Sequence, residues 1–420
     1  MAPSSETGVL LEHLFRRQAG RMVAHLTRLL GPAHLDLAEE AVQESMLRAL
    51  QTWPHQGSPP NAEAWLFRVA HNAAIDGVRR ARMAGEKSAA LVAELERSAV
   101  APADSADIEE QLRDDELRMI FMCCHPEIPR DASVALSLKS VSGFSVREIA
   151  RAFLADDAAV AQRLVRAKRQ IRERSLTLEM PRAAELERRL DAVLEVIYFV
   201  FNEGYAAHEG DELIRGDLCR EALRLGRFIA GSSLATPRVH ALVALLALQA
   251  ARSAARVSDA GDLILLDEQD RSRWDAQLLA LGFHHFDLSI AGADVSEYHT
   301  QAAIAATHAR SAAGGSTDWP IILALYDQLL AMNRSPVVAL NRAVAVDKVH
   351  GAARALAEIE PLQTDSKLSD YYLLLALRGH LLLELGRREQ AARCFRGALE
   401  CRCSAPERRF LEKMLQRCAE

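Results

Sequence analysis

The stretch "SVREIARAFLADDAAVAQRLVRAKRQIRER", from Ser145 to Arg174, leaves this chain few folding options. Ser145 followed by Glu148 has the form of a capping box: the hydroxyl accepts from the third helical amide and the carboxylate reaches back to the cap amide. "REIARAFL" then makes one short amphipathic helix. Asp156 or Asp157 caps a second, which begins near Ala158. A short helix, a tight turn and a longer basic helix make the helix-turn-helix pattern. The turn position where glycine is usual holds Leu154.

On a helical wheel, Val160, Leu164, Ala167 and Ile171 of the second helix share one face, which must be buried. Gln162, Arg166 and Arg169 point away from it. Arg163 and Gln170 flank one side, Lys168 and Arg172 the other. In a major groove, Gln pairs bidentately with adenine and Arg with guanine. The flanking cations suit phosphates, which makes affinity salt-dependent. A solvated basic helix face has the same composition; the capped helix pair favours DNA. These cations stand in a chain of formal net charge -6. An acidic remainder keeps non-specific attraction to DNA low.

The rest of the chain reads as helix throughout. Only 5% of residues are aromatic, β-branched runs are scarce, and Ala, Leu, Arg and Glu dominate, so the expected class is all-α. At 420 residues the chain exceeds one ordinary core and suggests about three domains. Residues 8–53 predict two helices, stopped at Gly31-Pro32 and before Pro54. After the loop "PHQGSPP", the segment "NAEAWLFRVAHNAAIDGVRRARM" predicts a third, with Asn61 as its N-cap. Trp65 and Phe67 on it are read as core. Residues 84–111 read as linker, running into an acidic stretch that ends in Asp114, Asp115 and Glu116; a solvated helix face fits it. A helical block over 112–178 carries the opening stretch, and 186–420 is one Leu/Ala-rich helix after another.

No basic leader followed by an apolar core opens the chain, and "VHALVALLALQAA" is shorter than the roughly 20 residues a bilayer requires. A cytoplasmic location with no membrane partner is therefore expected. The seven Cys lack paired CxxC spacing. Cys123, Cys124 and His125 have no second ligand pair, so reduced structural thiols, no metal and no cofactor are expected. The end of the chain fits a 34-residue tetratricopeptide unit starting at Tyr372, with small residues Gly379 and Ala391 and with Gly386, Phe395 and Ala398 at the matching places. No catalytic constellation appears, so no enzyme is expected. Glu203, His208, Glu209 and Asp211 read as a capping loop, and His284, His285 and Asp287 as isolated groups.

"DLAEEAVQESMLRALQTWP" with "NAEAWLFRVAHNAAIDGVRR" resembles region 2 of bacterial RNA polymerase sigma factors, and the segment from Arg130 to Arg174 resembles their region 4. With no recognisable region 1.1 or full region 3, the arrangement is similar to the extracytoplasmic-function group. "YFVFNEGYAAHEG" and "SPVVALNRAVAVD" look like stretches of a subgroup with a tetratricopeptide-like C-terminal extension. The resemblance implies a factor that binds core RNA polymerase and directs it to promoters. Glu40, Gln43, Glu44, Leu47 and Trp53 then fall where region 2 docks on the β′ clamp helices. His55, Asn61, Asn72, Asp76, Arg79 and Arg80 fall where the melted −10 element is captured. Ser145, Arg147, Gln162, Arg163, Arg166 and Arg169 fall in the −35-reading module, whose region also meets the β flap. Ala161 stands where the family commonly has Lys. The acidic linker would thread toward the RNA exit path, and 186–420 would regulate in cis, offering a groove to a peptide or small-molecule partner. Two other readings stay open: a helix-turn-helix regulator acting without core enzyme, and a repeat-type scaffold.

Overall fold

Apolar residues recur at helical spacing along the chain, and Gly or Pro ends most runs. The result, in a computed structural model, is helical throughout the described residues, which are 5–83, 115–177, 183–206, 213–292, 295–311 and 317–419. The one extended pairing among them is an isolated antiparallel bridge between Val257 and Leu263. The chain divides into two units, Met1–Val196 and Ile197–Glu420. The expected linker over 84–111 lies outside the described residues.

The first unit opens with α1 (Ser5–Leu30), α2 (Leu35–Gln56) and α3 (Ala62–Met83). Gly31, at φ 85°, takes the left-handed turn that Pro32 then fixes. Helix α2 runs past the expected stop: Pro54 lies inside it, in the last turn, so the helix gives up one hydrogen bond there and ends within two residues. Asn61 caps α3 as expected, its Oδ1 accepting from the Ala64 amide at 2.9 Å. Met22, Leu26, Leu66, Ala70 and Trp53 fill the space between the three helices.

Helix α4 (115–123), α5 (Arg130–Ser140), α6 (Val146–Ala152) and α7 (Asp157–Glu173) follow, then α8 (Ala183–Tyr205), within which the chain divides. Phe121, Met122, Leu136, Phe144, Ile149 and Ile171 form their core. Cys123 and Cys124 are fully buried there, and burial pushes both thiols up, Cys124 to about 12. Thiols held so far from ionisation are structural rather than redox-active.

Helix α4 is bound to α1 by charge. Asp115 accepts from Arg28 Nε at 2.9 Å and lies 2.9 Å from His25 Nδ1; Glu116 meets Arg21 Nε at 3.4 Å. Both carboxylates are buried. The solvated face expected for this acidic stretch is thus corrected at its last two residues: cations on α1 draw them inside. Nearby, α1 touches the end of α5 backbone to backbone. A Cβ placed on Gly20 would stand 1.4 Å from the Val141 carbonyl oxygen, so no larger residue fits without separating them.

The second unit stacks antiparallel helices: α9 (Gly216–Ala230), α10 (Pro237–Ala250), α11 (Ala276–Ser289), α12 (Glu297–Arg310), α13 (Trp319–Met332), α14 (Pro336–His350), α15 (Ala352–Ile359), α16 (Tyr372–Glu384), α17 (Arg388–Glu400) and α18 (Ala405–Arg417). The expected repeat unit is the hairpin α16–α17. Gly386 turns it at φ 72°, and a Cβ on Gly379 would stand 2.8 Å from the ring of the buried Phe395. Each helix pair buries its apolar stripe on the next, as repeat architectures require.

The Asp115 pair has a signed consequence. Burial alone would raise this carboxyl, but hydrogen bonds from His25 and Arg28 and their charges outweigh it and hold it below the ordinary carboxylate value. A depressed folded-state value contributes stability above the ordinary value, lost as pH falls through the folded one. Acid titration of the wild type should therefore show a loss of stability starting below about pH 4 that Asp115→Asn lacks, with Asp115→Asn less stable at pH 7. Parallel acid-unfolding curves for the two proteins would contradict this.

Candidate nucleic-acid interface

The helix-turn-helix forms as its residues dictate. The Ser145 amide donates to Glu148 Oε2 at 2.7 Å and the Glu148 amide to Ser145 Oγ at 3.1 Å, so both halves of the capping box are made. Helix α6 ends after two turns, and Leu154 adopts φ 49°. The left-handed geometry usually given to glycine is kept here by a leucine. Asp156 is the N-cap residue of α7 but makes no side-chain cap bond.

Val160, Leu164, Ala167 and Ile171 are buried, as the wheel requires. Gln162, Arg166 and Arg169 are exposed on the opposite face, with Arg166 Nη2 donating to Gln162 Oε1 at 3.3 Å and Arg169 Nε 3.5 Å from Glu173. Arg163 leans on Asp131 at 3.9 Å. Together with Pro129, Arg130 and Gln170 these arginines line a cleft of about 500 Å³. Ser145 and Arg147 are exposed at the start of α6. Val165 was missed by the sequence reading: it is 66% exposed and lies three residues after Gln162 and four before Arg169, on the same face. An exposed valine on a basic reading face suits contact with a thymine methyl group.

The other flank of α7 differs from the sequence expectation. Lys168 Nζ lies 2.8 Å from Asp36 and 2.6 Å from Glu39, and Arg172 Nη1 lies 2.8 Å from Asp36. Ser140 Oγ donates to the second oxygen of Glu39 at 2.7 Å. Two cations read as phosphate-binding are therefore spent on carboxylates at the start of α2. Burial opposes the Lys168 charge, but Glu39 and Asp36 outweigh it and push its ammonium up, keeping it ionised.

On α3, Asn72, Asp76, Arg79 and Arg80 are exposed at spacings of four, three and one, so they share one face. Arg79 lies 4.0 Å from Asp76, and Arg80 Nε donates to the Asp76 carbonyl at 3.3 Å. His55 and Asn61 are exposed on either side of the preceding loop, Asn61 with its oxygen committed to the cap. On α2, Glu40, Gln43 and Leu47 are exposed, and Glu44 pairs with Arg48 at 2.8 Å. Leu47 is 54% and Leu50 45% exposed, an apolar strip beside acidic groups. Trp53 is a correction: it is 3% exposed, its ring 5.4 Å from that of Trp65, and it offers no surface to a partner. Its register puts it on the inner face of α2, whereas the resemblance to region 2 had placed it at the docking surface. Trp65 and Phe67 are half-buried, Phe67 against His25 and His71, in keeping with a core role.

Two groupings in the second unit escaped the sequence reading. His285 Nδ1 stands 2.9 Å from His240 Nδ1, so it is not isolated. Asp347 on α14 and His380 and Glu384 on α16 bring one ligand atom each within 4.8 Å of one another, which a scan of spacing along one helix cannot reveal.

Residues 14–83 match the model of sigma-70 region 2, and residues 118–171 that of sigma-70 region 4. Residues 189–290 match a family of unknown function, DUF6596. An uncharacterized protein of Rhizobium meliloti (strain 1021) is 42% identical over 387 residues, covering 92% of this chain and 91% of that protein.

The chain belongs to the extracytoplasmic-function sigma factors.

This sigma factor carries a C-terminal helical extension beyond its two sigma regions. Its role is in transcription initiation, and core RNA polymerase and promoter DNA are its partners as a class. No solved structure matches the chain. Among the described residues no helix is long and apolar enough to cross a membrane.

Leu154 tests the turn. A left-handed residue with a side chain costs about 1–2 kcal/mol. Leu154→Gly should release that strain while losing a half-buried side chain, whereas Leu154→Val makes the strain worse. Urea unfolding should place Leu154→Val at least about 1 kcal/mol below Leu154→Gly. The reverse order would mean that the turn does not depend on this backbone geometry.

Proposed function

We propose that this sigma factor binds core RNA polymerase through region 2 and reads promoters with both regions, and that its second unit regulates it in cis. Residues 8–83 would serve the polymerase and the −10 element, 112–178 the −35 element, and 186–420 control. The observation that carries this reading is the outward face of α7. Gln162, Val165, Arg166 and Arg169 are exposed together on a helix whose opposite side is fully packed. A solvated surface helix would have no need of the exact capped pair and sharp turn that fix this face.

Three surfaces of the first unit divide the work. Gln162, Val165, Arg166 and Arg169 read base edges of the −35 duplex, while Arg163, Ser145 and Arg147 meet the backbone. On α3, Asn72, Asp76, Arg79 and Arg80, with His55 and Asn61, hold the −10 strand: amides read a base edge and guanidiniums hold phosphates. Glu40, Gln43, Glu44 and Leu47 meet the β′ clamp, where acidic and apolar groups side by side suit a basic helix with an apolar seam. Region 4 meets the β flap.

The pairing of α7 with α2 adds a constraint. Sites about 25 base pairs apart lie some 85 Å apart along a duplex at 3.4 Å per pair. Helices α2 and α7 touch through Lys168, Arg172, Asp36 and Glu39. The described form is therefore closed, and binding both elements requires that these pairs break. Lys168 and Arg172 then exchange carboxylates for phosphates. The second unit, which is built of stacked helix pairs, controls the process, offering a groove to a peptide or small-molecule partner.

Run-off transcription with bacterial core polymerase and DNA upstream of the chain's own gene tests the main reading. A discrete start site is expected, weakened at least about tenfold in Arg166→Ala/Arg169→Ala by loss of two bidentate base contacts. Tight promoter binding without core enzyme and no transcript would support the conventional regulator instead. Removal of residues beyond about 180 should change transcript yield or its response to signal; unchanged output would end the claim of control in cis.

The closed form has its own test. Asp36→Asn/Glu39→Gln should strengthen binding of the intact chain to −35 duplex by about fivefold or more: an exposed pair such as Arg172–Asp36 is worth at most ~1 kcal/mol, and the sheltered Lys168–Glu39 pair adds to it. Unchanged affinity would mean that the pairs do not compete with DNA.

A further inference from the structure

The second unit contains a group of guanidiniums that form no ion pair among the described residues. Arg252 and Arg256 follow the end of α10, Arg271 and Trp274 precede α11, Tyr205 ends α8, and His308 lies near the end of α12. Arg256 stacks on the Tyr205 ring with its Cζ 3.9 Å from the centroid, and donates to the Tyr205 carbonyl. Arg252 Cζ lies 5.7 Å from the same ring. Arg271 Cζ lies 4.6 Å over the Trp274 ring, and its Nη1 donates to the His308 carbonyl at 2.7 Å.

All three arginines are half-buried, and none forms an ion pair among the described residues. The nearest described carboxylates are engaged elsewhere. Glu407 accepts from the amide and hydroxyl of Ser404 and from Tyr372. Asp267 pairs with Lys348 at 3.1 Å. Burial, and after it the charge of Arg252, holds the Arg256 and Arg271 guanidiniums below their ordinary value, although Tyr205 and Glu407 raise the first and Asp267 raises the second; burial, then Arg252 and Arg271, lowers His308 to about 4 against Asp267.

Several buried polar atoms here have no hydrogen-bond partner: Arg252 Nε, Arg271 Nε and Nη2, His308 Nδ1, Trp274 Nε1 and the Tyr205 hydroxyl. Stacking on Tyr205 and Trp274 occupies guanidinium faces, and the two backbone carbonyls take one N–H each of Arg256 and Arg271, which leaves Arg252 Nε and Arg271 Nε and Nη2 without acceptors. Cation–π contact is worth about 0.5–2 kcal/mol and supplies no acceptor. A buried donor without a partner costs roughly 1–3 kcal/mol, more when charged. A cluster of such donors, all cationic or neutral, lacks one thing: an oxyanion.

We propose that Tyr205, Arg252, Arg256, Arg271, Trp274 and His308 form a binding site for a small organic anion, recognised through a carboxylate or phosphate group. The planar forks of Arg252 and Arg271 suit either group bidentately. The neutral His308 ring and the Tyr205 hydroxyl add polar contacts, and the aromatic rings hold the forks in place. Five of the six residues lie in the segment matched to the family of unknown function. The site goes beyond the proposed role in transcription and stands whether or not the second unit regulates the first.

The test is titration of the intact chain with sodium phosphate and with sodium citrate, against sodium chloride at equal ionic strength. Calorimetry and melting temperature are both read. One of the two oxyanions should give saturable heat and a rise in melting temperature that chloride does not; phosphate alone or citrate alone identifies the group preferred. Arg252→Gln and Arg271→Gln should each weaken that binding about ten- to a hundredfold. Their unliganded melting temperatures should equal or exceed that of wild type, because an uncompensated cation has been removed. Arg174→Gln, just past the end of α7 in the other unit, should keep the full response. No oxyanion effect beyond chloride would overturn the proposal. So would an effect that survives both substitutions, which would place the anion elsewhere, or a drop in unliganded melting temperature with no change in binding, which would make the cluster structural. If neither variant folds, phenylglyoxal labelling of the wild type decides: protection of Arg252 and Arg271 by the active oxyanion supports the site, and equal labelling with and without it overturns the site.

Discussion

Lys168, held between Asp36 and Glu39, is the contact on which the described form of the first unit depends. It joins a helix that reads as a DNA recognition element to one that reads as a polymerase-docking element. The Lys168 side chain is only 17% exposed, and Glu39 is also held by Ser140. A pair this sheltered is screened less by salt than one in open water. It costs desolvation, so its presence argues less for stability than for position. Lys168 fixes which flank of α7 faces protein and which stays open. The open flank is the one that carries Gln162, Val165, Arg166 and Arg169.

The second unit is built on a different principle. Its hairpins close because small residues sit where helices cross, as Gly379 does against Phe395. Its tight packing makes the cluster at Arg252, Arg256 and Arg271 conspicuous. A fold that fills its core with Leu and Ala has no structural need for three guanidiniums sharing two aromatic faces. The cost of keeping Arg252 Nε and Arg271 Nε and Nη2 buried without acceptors argues that something else uses them.

What was legible in the sequence was local. The capping box at Ser145, the wheel of α7, the glycine pattern from Gly379 to Gly386 and the helical class all depend on spacings within one or two turns. Pair partners far apart in sequence were not legible. Lys168 and Arg172 look like any cationic rim until α2 is placed beside them. Asp115 and Glu116 look like the end of a solvated acidic run until Arg21, His25 and Arg28 are placed across from them. Trp53 shows the limit in a single residue: the resemblance to region 2 suggested a docking contact, while its register on α2 sent it inward against Trp65. Arg252 and Arg271 gave no signal at all, because lone arginines between helices are common and only the third dimension shows their missing partners.

The buried pairs between α1 and α4 have a topological effect. Met83 ends α3 and Asp115 is pinned back on α1, so α4 begins on the same small bundle that α3 completes. The reading helix is therefore seated from two sides of that bundle at once: by Lys168 on α2, and, three helices earlier in the chain, by Asp115 on α1. His25 and Arg28 thus set where the run of helices leading to α7 starts, a role in DNA reading held by residues that carry none of its chemistry.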